Sequence, residues 1–167
     1  MKAIYYEKYG NISVLKQGEI DDPKKVLDKE VLIKVNFFSL NPLDYKLRNG
    51  MLKLMTFRTF PRTTGSDFSG EIVAKGESVN NFEIGEKVFG FLSQLNEGTS
   101  SQFIKVNQSI LSKAPTNIDI GKAAAVPLAA LTSYQALVQL AKIKKGNKIL
   151  NIENYSNIYS VAFGKAA

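Results

Sequence analysis

Hydrophobic and polar residues alternate in short runs along the first two thirds of the chain. Runs of this kind, rich in β-branched and aromatic residues, predict β-strands. We predict strands over residues 2–7, 12–19, 30–38, 70–76, 86–92 and 102–106. Several short strands separated by turn residues are typical of a β-barrel or a β-sandwich.

One helix is predicted among these strands, over residues 41–50. Asn41 is a good N-cap residue, Pro42 suits the first helical position, and Gly50 suits the end of a helix.

The pattern changes after Pro115, where helical spacing replaces alternation. Residues 119–125 and 127–141 each predict a helix, and residues 148–152 predict a further strand. Because a proline disfavours helical geometry at the residue before it, we expect a break at Val126. The fold class is therefore mainly β with C-terminal helices (α+β). We divide the chain into a barrel over residues 1–118, a helical connector over 119–147 and a further unit over 148–167.

The chain contains neither cysteine nor histidine. Disulfide bonds, thiolate nucleophiles and imidazole bases are therefore excluded. Zinc prefers thiolate and imidazole ligands, and the acidic residues lack the spacing of a calcium-binding loop. We predict no metal site.

The net charge is +7, and the densest basic cluster covers residues 142–148. Such a cluster could bind phosphate or nucleic acid. It could also be the basic end of a helix, where cations interact favourably with the helix dipole. We favour the second interpretation because no aromatic residues interleave the cluster. We therefore predict no nucleic-acid partner.

No run of 18 apolar residues is present, which predicts no membrane span. Residues 1–8 are charged and alternating, unlike a signal peptide. We expect a cytoplasmic location.

Six segments together resemble one known family. They cover residues 30–35, 41–46, 65–70, 85–90, 123–137 and 145–146. In this order and spacing they resemble the medium-chain dehydrogenase/reductase superfamily, and within it the zinc-independent quinone oxidoreductases. The resemblance extends from Met1 to about Leu150.

This resemblance implies a GroES-like, partly open β-barrel over residues 1–118, followed by the start of a Rossmann domain at 148–167. The active site would lie in the cleft between the two domains. In the zinc-binding branch, the positions that match Asn41, Ser66 and Leu128 hold the catalytic metal. None of these three residues makes a zinc site here.

The resemblance also implies hydride transfer from NADPH to a quinone or an enone. Asn41 and Thr132 match positions that face the nicotinamide. Asn41 could instead serve only as a helix cap, and the Thr132 hydroxyl could bond only its own helix backbone. Asn41, Tyr45 and Lys46 are the candidate catalytic residues, although for Tyr45 and Lys46 we favour a surface and structural role. For Asp67 we expect a structural hydrogen-bonding role rather than acid catalysis.

The chain departs from this family where a glycine-rich loop should bind the pyrophosphate. The glycine positions fall on about Glu153, Ser156, Asn157 and Tyr159, and the chain ends at Ala167. We expect a truncated or decayed gene product, or a frameshifted tail, that does not bind NADPH by itself.

Two functions remain open at this point. The chain is either the catalytic-domain portion of an NADP(H)-dependent reductase, inactive alone, or a non-catalytic interaction module built on the barrel. A homodimer is possible in the second case, because the surface that faces the cleft would be apolar and exposed. Whether the chain is an enzyme is left undecided.

Overall fold

The computed structural model describes residues 1–23, 25–54, 60–93 and 97–145, together with a strand over 161–164. The strands are β1 (Lys2–Tyr6), β2 (Lys16–Glu19), β3 (Glu30–Leu40), β4 (Arg62–Thr63), β5 (Asp67–Lys75), β6 (Lys87–Phe91), β7 (Phe103–Asn107), β8 (Leu111–Lys113) and β9 (Val161–Gly164). The helices are α1 (Pro42–Arg48), α2 (Ile120–Ala123) and α3 (Pro127–Tyr134), which continues as a π-helical segment over Gln135–Leu140.

The strands form two open antiparallel sheets. The larger sheet has the order β7-β3-β5-β6-β8, and β9 pairs with β3 beside β7; the smaller sheet has the order β2-β1-β4. Sheets that curve around a core without closing make a partly open barrel, which confirms the predicted fold class. Among the described residues, no helix has the length and hydrophobicity needed to cross a membrane.

Strand β3 is the centre of the larger sheet. Along one edge it pairs with β5, and along the other it pairs with β7 at residues 30–34 and with β9 at residues 37–40. Val31, Ile33 and Val35 point into the core, as alternation predicts. The core to which they belong also contains Phe38, Phe68, Ile72, Val79, Phe82, Val88, Ile104, Val106 and Leu111.

A register irregularity between Val35 and Phe37 changes which side of β3 faces the core. One extra residue in a strand reverses the alternation that follows it. Phe38 therefore joins the core, and Ser39 lies on the opposite face of the sheet. That opposite face is the one that helices α2 and α3 cover.

Helix α1 begins as predicted, with Asn41 at the N-cap and Pro42 in the first turn. Helices α2 and α3 are separated at Val126, where we expected a break. The predicted reason was wrong in its detail, because Val126 keeps helical dihedral angles (φ −84°, ψ −44°). The restriction before proline is a preference that packing can override.

Other sequence predictions differ from the structure locally. The first part of the predicted strand 12–19 is a 3-10 turn over Ile12–Val14, and alternation failed to predict the short strands β4, β8 and β9. The predicted strand at 148–152 and the altered glycine loop lie outside the described residues.

We predict that Gly70→Ala destabilises the protein by about 1–3 kcal/mol, the usual cost of overpacking. A Cβ at Gly70 would overlap the Lys34 carbonyl oxygen on β3 and lie 2.8 Å from Ile33 Cγ2. Gly18→Ala is the matched control, since its nearest neighbour, the Tyr5 ring, lies 3.4 Å away. Urea unfolding should show a lower midpoint for the first variant alone, with an unchanged slope; equal midpoints would contradict this packing.

Candidate functional site

The carboxylate of Asp67 is the centre of a buried polar network. Asp67 is the first residue of β5 and has no exposed surface. Its Oδ2 accepts hydrogen bonds from Ser39 Oγ at 3.0 Å and Asn41 Nδ2 at 2.9 Å. Its Oδ1 accepts one from the backbone N–H of Leu128 at 2.9 Å. Asp67 therefore joins the end of β3 to the first turn of α3.

A second buried carboxylate, Asp44, lies on α1 and extends this network. It accepts a hydrogen bond from the backbone N–H of Asn41 and another from Ser66 Oγ, at 3.1 Å. Asn41 thus donates to both carboxylates, from its backbone and from its side chain. The Asn41-x-x-Asp44 spacing resembles a capping box, in which the third residue of a helix bonds back to the cap.

Strand pairing and one glycine place these groups. Ser39 and Asp67 are direct partners on β3 and β5, so their side chains lie on the same face of the sheet. Gly65 has φ +83°, a conformation that favours glycine, and a Cβ there would lie 3.1 Å from Phe38 Cδ2. The chain can therefore turn sharply into Ser66 and Asp67.

Burial raises the pKa of Asp67 above its ordinary value, because the charged form is desolvated. The hydrogen bonds from Asn41, Ser39 and Leu128 oppose this shift without cancelling it. The folded state therefore holds the Asp67 proton more tightly than the unfolded state does. The contribution of this group to stability is present at acid pH and is lost as the pH rises through the raised pKa.

The four candidate site residues lie in different surroundings. Asn41 is only 5% exposed, and its amide donates to Asp67. Thr132 is exposed on α3, four residues after Leu128 and so on the same side of the helix. On α1, Tyr45 is 48% exposed and Lys46 is half-buried.

The structure therefore brings Asn41 into one network with the start of α3, whereas Tyr45 and Lys46 lie outside it. Sequence reasoning missed Ser39, Asp44 and the Leu128 N–H as members of the network. A capping-box pattern could have indicated Asp44. No sequence signal could have indicated a backbone amide.

The comparisons with known proteins agree with this fold. Residues 27–127 match the family model described as the alcohol dehydrogenase GroES-like domain. The chain belongs to this family. It therefore carries the GroES-like domain of the medium-chain dehydrogenase/reductase superfamily, as the sequence motifs implied.

Two of the relatives of this GroES-like domain are named as oxidoreductases or their homologs. A chloroplastic quinone-oxidoreductase homolog of Spinacia oleracea is 37% identical over 86% of this chain and 44% of its own length. A chloroplastic NADPH-dependent alkenal/one oxidoreductase of Arabidopsis thaliana is 31% identical over 96% of this chain and 43% of its own. The chain thus spans a little under half the length of these curated relatives.

Solved structures give the same result. The quinone oxidoreductase from Coxiella burnetii superposes with a TM-score of 0.81 at 35% identity, covering 88% of this chain and 47% of that one. The quinone oxidoreductase from Pseudomonas syringae superposes with a TM-score of 0.76 at 25% identity, over 87% of this chain and 43% of that one.

The GroES-like domain of this chain does not fit a zinc ion at the positions that match the zinc-binding branch. The structure does bring Asn41, Ser66 and Leu128 into one network. Asn41 and Leu128 donate hydrogen bonds to Asp67, and Ser66 donates one to Asp44. The polar groups that form these bonds are engaged with carboxylates, and the Leu128 side chain has no atom that can coordinate a metal ion. The described part of the chain also contains no cluster of three or more potential metal-binding side chains.

We predict that Asn41→Leu costs about 1–3 kcal/mol near neutral pH, because it leaves Asp67 with one donor fewer. The loss of this bond should also raise the pKa of Asp67 further, since the bond favours the charged form. The penalty should therefore shrink at acid pH, where Asp67 is protonated.

Urea unfolding of the Asn41→Leu variant at several pH values measures this penalty. Asn49→Leu, at the exposed end of the same helix, is the control and should show neither the cost nor its pH dependence. A penalty that stays constant with pH would show that Asn41 acts only as a helix cap.

Proposed function

We propose that this chain is the catalytic-domain portion of an NADP(H)-dependent, zinc-independent reductase that acts on a quinone or an enone. The observation that carries the proposal is the engagement of the three metal-ligand positions by two buried carboxylates. The names of the relatives supply the substrate class and the cofactor. When bound, NADPH supplies a hydride for an electron-poor double bond or a quinone.

In this proposal the protein positions the reactants. Thr132, exposed on α3, offers a hydroxyl to the nicotinamide carboxamide or to the substrate oxygen. Asn41 is nearly buried, and its hydrogen bond to Asp67 fixes the orientation of its side-chain amide. Tyr45 and Lys46 lie along α1 at the surface, where they could deliver a proton or a positive charge to the substrate. We place the protein in the cytoplasm.

We also propose that the chain alone binds NADPH weakly and does not turn over quinones. Thr132 and Asn41 would contact one end of the cofactor, whereas most of the affinity should come from the pyrophosphate and adenosine sites. A micromolar Kd corresponds to about −8 kcal/mol, and half of that free energy gives a Kd of about 1 mM. Hydride transfer also needs reacting atoms held about 3–3.5 Å apart, which a single wall of a cleft cannot ensure.

The test is a titration of the isotopically labelled chain with NADPH, followed by amide chemical shifts. We expect a Kd near 1 mM and shifts around Thr132. Thr132→Val should weaken binding about two- to ten-fold, the range expected for one hydrogen bond. Ser133→Ala, the neighbouring hydroxyl on α3, is the matched control and should leave binding unchanged. Micromolar binding, or turnover of a quinone at an ordinary enzymatic rate, would refute the proposal.

A specific observation also favours the second candidate, an interaction module. Helix α3 and its π-helical continuation expose apolar side chains, with Leu131 48%, Tyr134 54% and Leu140 80% exposed. An apolar cavity of about 460 Å³ lies beside them, between α3, β6 and β8. Apolar patches of this kind tend to bind partners, and the partner proposed here is a second copy of the chain.

Sedimentation equilibrium tests this alternative. If the chain dimerises through this face, Leu131→Glu should shift the equilibrium toward the monomer by at least ten-fold in Kd, because the charge would be buried in the interface. Ile84→Glu is the control, because Ile84 lies at an exposed turn distant in sequence from Leu131. A monomer at all concentrations would rule out the dimer and leave the first proposal as the sole candidate.

A further inference from the structure

Helix α3 buries few of its side chains. Pro127 is the only buried residue of α3, and the side chains from Ala130 to Tyr134 are exposed. Burial of apolar surface therefore does little to fix where this helix lies. A polar contact at the start of the helix therefore gains importance for its position.

One hydrogen bond joins α3 to the sheets. Between described residues, the hydrogen bond from the Leu128 N–H to Asp67 Oδ1 is the one that connects this helix to a strand. It forms in the first turn of the helix, where backbone N–H groups have no partner within the helix. A carboxylate there also interacts favourably with the helix dipole.

The second oxygen of the same carboxylate holds β3. Oδ2 accepts from both Ser39 and Asn41, and within the described ranges Asp67 forms no ion pair with a cation. A carboxylate presents acceptors on both oxygens, whereas an amide presents only one acceptor. The donors around Asp67 are divided between its two oxygens, so a side chain with acceptors on both oxygens fits this position.

We propose that Asp67 is a positioning residue that latches α3 to the barrel. Its two oxygens connect two elements, and removing the acceptor on the Leu128 side releases the helix while the sheets stay folded. The latch sets where α3 presents Thr132 and the apolar side chains that follow. The inference goes beyond the proposed function, because it holds whether or not the chain binds a nicotinamide.

Hydrogen exchange of backbone amides tests the latch on the full chain. In Asp67→Ala we expect the Leu128 amide and the rest of α3 to exchange at least ten-fold faster, while core amides such as Ile33 keep their protection. In Asp67→Asn we expect partial rescue, because the remaining carbonyl oxygen can still accept from Leu128.

Ser69→Ala is the matched control. Ser69 lies on the same face of β5 and is also fully buried, but its hydroxyl donates to the carbonyl of Ile120, the first residue of α2, at 2.6 Å. This variant should speed exchange around α2 and leave the Leu128 amide protected. Equal exchange of Leu128 in the wild type and in Asp67→Ala would overturn the proposal, as would an effect of Ser69→Ala as large as that of Asp67→Ala.

A pH titration keeps the proposal testable if Asp67→Ala does not fold. In the wild type, the amide proton shift of Leu128 should follow the protonation of Asp67, with a midpoint raised from the ordinary pKa of an aspartate. Asp44 is the other titratable carboxylate in the network. The residues that β3, β6 and α3 place beside Asp67 are the uncharged Ser39, Phe91 and Leu128. Asp67→Asn should abolish the step, and a Leu128 shift that ignores the Asp67 titration would refute the latch.

Discussion

A buried carboxylate without a cation is stable only where several hydrogen-bond donors converge on it, and the arrangement of this domain satisfies that condition at Asp67. The donors come from Ser39 on β3, from Asn41 at the start of α1 and from Leu128 on α3, which lies far from the other two in sequence. Each element must therefore be in place before the carboxylate has all of its hydrogen bonds. The same requirement explains why Asn41 is nearly buried and why α3, which packs few side chains, begins where it does.

Strand β3 brings the donors to this carboxylate. Its first half faces the core with Val31, Ile33 and Val35, and the irregularity before Phe37 reverses the pattern. Ser39 consequently lies opposite Asp67 on the face that the helices cover. Without the extra residue, Ser39 would point into an apolar core and Phe38 toward the helices. One backbone irregularity thus converts a structural strand into one that also builds the site.

The positions that hold zinc in one branch of the superfamily still converge here, although the chemistry differs. Asn41 and Leu128 bind Asp67, and Ser66 binds Asp44. Hydrogen bonds to two carboxylates therefore connect elements that a metal could otherwise connect. Hydrogen bonds alone therefore give the domain a defined geometry at this point.

The sequence by itself determined the mainly β fold and the helix capped by Asn41, because alternation, turn residues and capping are local signals read within a few residues. It also indicated the family, through the resemblance of six motifs in their order and spacing. It also identified Asn41 and Asp67 through motif resemblance. Only the tertiary structure decided that these two residues bind each other, that Ser39 joins them and that the Leu128 backbone completes the network. These contacts depend on strand register, on the irregularity before Phe37 and on the placement of α3. Such features arise from packing between segments distant in sequence, and no local pattern records them.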